Sequence, residues 1–169
     1  MTTIESSEGP ERGPIREVGI EMKVETLREK AEVLFSDESS LEGCFFVAQL
    51  APGYMRKECI IDLFTGERIY LPFETADGEI LLLQKKNIMM VITEESELEG
   101  HLIYQQKLSA EVQFISGKTI RGNIYSDLPP NYLRLSDYLN QHTTFFLLDV
   151  DSKAYLVNSR FVKIVRPVS

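Results

Sequence analysis

The chain holds few residues that could perform chemistry, and their spacing argues against catalysis. Its two histidines, His101 and His142, lie far apart, with no Cys or carboxylate at metal-ligand spacing. Each reads as a lone solvated imidazole. Cys44 sits inside LEGCFFV. A thiol there would need a neighbouring base to act as a nucleophile, so half-buried packing is the expectation. Asp149 and Asp151 flank one turn. Calcium wants roughly six to eight oxygens, so an exposed turn is the simpler reading. No G-x-S-x-G occurs, and no Gly-rich phosphate loop precedes a helix. The expectation is a non-enzymatic protein with no cofactor and no metal site.

One segment invites a binding role. Tyr132 to Gln141 reads YLRLSDYLNQ. Ser136 stands where a helix N-cap would accept an amide hydrogen. Leu135 and Leu139, four apart, would share one face of a helical turn. Two readings fit. Arg134, Asp137 and Asn140 could be contacts of a binding loop. Alternatively the segment plugs the end of a small barrel, with Asp137 satisfying backbone amides. Adjacent aromatics such as Phe45–Phe46 and Phe145–Phe146 must point to opposite faces of a strand. Half of them can be core, and the other half suits an interface between copies or chains.

An internal repeat supplies the scaffold. Ala31–Phe46 reads AEVLFSDESSLEGCFF and Ala110–Tyr125 reads AEVQFISGKTIRGNIY. At an offset of 79, Ala31, Glu32, Val33, Phe35 and Gly43 meet Ala110, Glu111, Val112, Phe114 and Gly122. Further on, Asp62 meets Asp137 at an offset of 75 and Leu83 meets Leu156 at 73. Length changes of this kind accumulate in loops. Short apolar runs bounded by turn residues predict about five strands per copy. Among the turns, Ala76-Asp77-Gly78 predicts a hairpin in which glycine takes a positive φ. The predicted fold class is all-β: two tandem small five-stranded antiparallel barrels with short helical turns. The predicted organisation is a disordered tail over 1–20, a first barrel over 21–93, a linker and lead-in strand over 94–109, and a second barrel over 110–169. A unit this small is marginal alone, and pairing edge strands of the two copies would relieve that.

Composition narrows the partners. The chain has 169 residues and a net charge of -8. Residues 31–93 carry 10 acids and 5 bases, net -5, while 110–169 carry 5 acids and 7 bases, net +2. An acidic whole disfavours nonspecific nucleic-acid or membrane binding. The opposed charges of the copies would favour contact between one molecule's first copy and another's second. No apolar run approaches the ~20 residues of a membrane-spanning helix. The opening MTTIESSEGPERGP lacks a basic start and an apolar stretch, so no signal peptide is expected. Two cysteines, both in the first copy, make a shared disulfide framework unnecessary and a cytoplasmic location the expectation.

The order of strand, Gly-bent strand, D-x-L-N step and two strands joined by a tight connection resembles Sm-like domains. Asp137-Tyr138-Leu139-Asn140 matches that family's first RNA-pocket motif, and Val157-Asn158-Ser159-Arg160 stands at the second without its glycine. The first copy has Asp62-Leu63-Phe64-Thr65, with no Asn. The resemblance implies a small-barrel topology, a candidate RNA pocket at Asp137, Asn140, Asn158 and Arg160, and a ring of three chains built from fused pairs. A looser resemblance, to PilZ domains, rests on Arg12-Gly-Pro-Ile-Arg16 and on Asp37-Glu38-Ser39 before Gly43. It would imply a cyclic dinucleotide as ligand. The leading expectation is a module for protein interaction or self-assembly as a homo-oligomer, with RNA binding as the alternative.

Overall fold

The computed structural model describes residues 26–49, 57–94, 106–126, 135–141 and 144–168. The expected tail, most of the linker, Arg12, Arg16, Arg134, His101 and His142 lie outside them. In the first half, β1 is Thr26–Phe35, β2 is Ser40–Ala48, α1 is Ile60–Thr65, β3 is Tyr70–Thr75, β4 is Ile80–Gln84 and β5 is Ile88–Thr93. In the second half, β6 is Gln106–Phe114, β7 is Thr119–Ser126, α2 is Leu135–Gln141, β8 is Phe145–Val150, β9 is Lys153–Asn158 and β10 is Val162–Pro167. The described residues are therefore predominantly β, with two short α-helices among them. None of the described helices is long and apolar enough to cross a membrane.

All ten described strands belong to one antiparallel sheet, in the order β10-β6-β7-β8-β9-β5-β1-β2-β3-β4. This differs from the expected picture of two barrels, each closed on itself. No ladder among the described residues closes either half. Instead β9 of the second half pairs with β5 of the first, Leu156 opposite Val91. Each half still runs its strands in the same order: last, first, second, third, fourth. A three-residue 3-10 turn, Lys85–Asn87 or Ser159–Phe161, joins the fourth strand to the last in both.

The strand signals come from ordinary chemistry. Alternation buries Ala31 and Val33 on β1, and Phe45 and Val47 on β2. Gly78 and Gly117 take φ of 87° and 97° in their hairpin turns, a region costly for any residue with a Cβ. The two glycines of the repeat do something else. A Cβ on Gly43 would lie 2.1 Å from the Glu74 carbonyl oxygen, and one on Gly122 would lie 2.5 Å from that of Asp149. In each half the backbone of the third strand therefore runs close against the second strand at its glycine.

The ladders also correct the offset. Cys44 pairs with Glu74 as Asn123 pairs with Asp149. Leu71 then faces Leu83, and its counterpart Phe146 faces Val157. Leu83 therefore corresponds to Val157, an offset of 74 rather than 73. The same 74 holds on the last strands, where Ile92 faces Glu32 and Arg166 faces Glu111.

Two apolar clusters lie on opposite faces of the shared sheet. The first gathers Val33, Phe45, Phe64, Leu71 and Phe73 with Phe145, Leu147, Ala154 and Leu156 of the second half. The second gathers Val112, Phe114, Ile124, Phe146, Leu148 and Val157 with Met89 and Met90 of the first half. Strands at and beside the junction are thus buried on both faces, which is why β5 and β8 open on the apolar runs Ile88–Ile92 and Phe145–Leu148.

Candidate functional site

The junction, β5 against β9, is where the halves are locked. Buried Asn158 donates from Nδ2 to the Ile88 carbonyl at 2.9 Å, across the junction. Its Oδ1 accepts from the Arg160 amide at 3.0 Å. Phe145 meets Phe64 of α1 edge-on, ring centroids 4.9 Å apart. Helix α1 is shaped for this. Asp62 accepts the Cys59 amide at 2.7 Å and so caps the first turn, while Ile60, Leu63 and Phe64 turn inward. The helix thus packs its apolar face onto the first cluster.

The same junction leaves two unmatched edges. Among the described residues, β4 ends the sheet on one side and β10 on the other. They are the counterparts of β9 and β5, the pair joined at the centre. Residues at matching positions differ mainly in whether something covers them. Leu156 at the junction is 2% exposed, and its counterpart Leu82 on the edge is 66% exposed. Met90 is 1% exposed and its counterpart Ile164 is 40% exposed. Tyr70 and Ile80 stand exposed where Phe145 and Ala154 are buried. Most of the large exposed apolar residues, Ile69, Tyr70, Ile80, Leu82 and Ile164, lie on or beside the two outer edges.

Beside the junction lies a cleft of about 710 Å³. Phe64, Ile69 and Phe145 supply apolar lining, and Arg68, Lys85, Lys86 and Arg160 supply cations against one acid, Glu67. The Lys85 ammonium donates to the carbonyls of Leu63, at 3.0 Å, and Gly66, at 2.9 Å, at the end of α1. Burial pushes its pKa below the ordinary lysine value, and the nearby charge of Arg68 adds to that.

The expected site residues separate. Arg160 and Asn158 line this cleft, but both polar ends of the Asn158 amide already have partners within the chain. Asp137 and Asn140 are exposed on α2, away from that cleft. Ser136 is not the cap: α2 begins at Leu135, so Ser136 lies within its first turn. Leu135 and Leu139 pack on the second cluster, and Tyr138 is buried. Asp149 accepts from the Tyr125 hydroxyl at 2.9 Å and from the Ser152 amide at 3.1 Å. Burial and that hydrogen bond raise the Tyr125 pKa. Lys85, Lys86 and Arg68 escaped the sequence reading because Arg68 and the lysine pair lie in separate connections, which only the fold brings together.

No family model, characterised protein or solved structure matches this chain.

Proposed function

We propose that the protein is a non-enzymatic self-assembling module, built by duplication of a small five-stranded Sm-like unit. Its chains join head to tail, β4 of one to β10 of the next. The observation carrying this reading is the pair of edges that no described strand covers, whose counterparts at the centre of the sheet are already joined. An uncovered apolar edge strand is a template for pairing with another chain. Applying the 74-residue correspondence to the central ladder gives the register: Leu81 opposite Arg166, Leu82 opposite Val165 and Leu83 opposite Ile164. Tyr70 of one chain would then rest on Leu139 of the next, as Phe145 rests on Phe64 within the chain. Charge favours the same contact. The first half is net -5 and the second net +2, while β10 carries Lys163 and Arg166.

Such a contact is heterologous, so it closes into a ring or continues as a filament. A three-chain ring would weigh about 58 kDa, three times 19.3 kDa. Light scattering of the wild type should give a mass above one chain. Leu82→Lys, which places a charge on the edge, should return it to 19.3 kDa. A wild type that stays at one chain's mass across the accessible concentration range would overturn the reading. RNA binding by the second half draws less support, because the Asn158 amide is occupied at the junction.

A further inference from the structure

We propose that the cleft beside the junction binds a small phosphate-bearing ligand with an aromatic ring, of mononucleotide size. The sign of the site runs against that of the molecule. The whole chain has 26 acids and 18 bases, yet this cleft gathers four cations and one acid. Like charges held together repel, and an anion between them relieves the repulsion. Three of the four cations, Arg68, Lys86 and Arg160, lack an acidic partner among the described residues, although the Arg160 guanidinium lies over the Phe161 ring, 5.7 Å from its centroid. Lys85 is held in place by the two carbonyls at the end of α1. Two guanidinium groups offer paired donors that match phosphate oxygens.

The floor selects the rest of the ligand. Ile69, 63% exposed, presents apolar surface to the cleft, and the nearly buried Phe64 and Phe145 back its wall. A volume of about 710 Å³ falls within the ~300–1,000 Å³ of small-molecule sites. Apolar lining with a few convergent charged groups suits a flat ring that carries one anionic group. The site needs residues from both halves: Arg68, Lys85 and Lys86 from the first, Phe145 and Arg160 from the second. It exists only where a fourth strand meets a last strand, and it stands within one chain whether or not chains assemble.

Calorimetric titration with adenosine monophosphate, inorganic phosphate, adenosine and a single-stranded oligonucleotide tests this. Adenosine monophosphate should bind saturably, one per chain, and at least tenfold more tightly than inorganic phosphate or adenosine alone. The double variant Lys86→Gln/Arg160→Gln changes two exposed side chains. It should weaken that binding at least tenfold while leaving the thermal unfolding curve in place. Absence of saturable binding at millimolar nucleotide would overturn the proposal. So would affinity unchanged in the double variant. Tight oligonucleotide binding that adenosine monophosphate does not displace would overturn it in favour of a polymer surface.

Discussion

Replacing the repeat's glycines with alanine tests the packing account most sharply, because the expected costs can be ordered from the structure. At Gly43 the new Cβ would sit 2.1 Å from the Glu74 carbonyl oxygen and 2.8 Å from the Phe73 ring. A carbon and a carbonyl oxygen tolerate about 3.3 Å, so β3 must retreat by about 1.2 Å. At Gly122 the oxygen of Asp149 lies 2.5 Å away, and the same reasoning asks β8 for about 0.8 Å. Both obstacles are backbone, so no rotamer change relieves them. Overpacking costs about 1–3 kcal/mol, and loosening a ladder hydrogen bond adds about 1 kcal/mol. Gly43→Ala should therefore cost about 3 kcal/mol or more and Gly122→Ala about 2 kcal/mol. Gly78→Ala is the control. Its Cβ meets nothing within 4 Å, so it should pay only for the left-handed backbone, about 1 kcal/mol. In a chain of this size each kcal/mol moves Tm by roughly 2–4 °C. Urea unfolding of the three variants at one protein concentration gives the order. The reasoning is refuted if Gly78→Ala costs as much as Gly43→Ala, or if Gly43→Ala is neutral.

Two further outcomes follow from the described contacts. Asn158→Leu removes the donor to the Ile88 carbonyl inside the junction and should cost about 1–3 kcal/mol, read by urea unfolding; a neutral result would mean that the bond does not hold the halves together. Asp37 accepts from the Ser39 hydroxyl at 2.6 Å and from its amide at 3.0 Å, and these bonds lower its pKa from 3.8. Because the folded value is the lower one, the stabilisation is present above pH 3.8 and is lost as pH falls through the depressed value. The stability difference between wild type and Asp37→Asn should therefore close on acidification through that window, and a difference constant with pH would contradict it.

Much of the scaffold was legible in the sequence because strands leave a period of two and turns leave glycine. β7, at Thr119–Ser126, begins inside the second copy of the repeat, and the Ala76-Asp77-Gly78 turn has its positive φ. Other features were legible only in three dimensions. Ile80-Leu81-Leu82-Leu83 carries no register mark, so sequence alone paired Leu83 with Leu156 rather than Val157. The β1 strand extends back to Thr26 through Arg28, Glu29 and Lys30, polar residues whose pairing with β2 is made by backbone groups that the side chains do not announce. Single-copy reasoning expected each sheet to close on itself. It had no means of seeing that the last strand of one half takes the fourth strand of the other. Of the expected site residues, Arg160 lies in the basic cleft, and Asn158 is tied up at the junction. Asp137 and Asn140 sit elsewhere on α2.

The measurement that bears most directly on head-to-tail assembly is a register-specific cross-link. A chain carrying Leu82→Cys and Val165→Cys should form an interchain ladder on mild oxidation, because those positions face each other in the register inherited from Leu156 and Val91. The wild type, which keeps Cys44 and Cys59, is the control for background oxidation. Leu82→Cys with Ile164→Cys is one residue out of step and puts the thiols on opposite faces. A ladder from the first pair and none from the second is the predicted result. No ladder from the first pair, or equal ladders from both, would contradict the account.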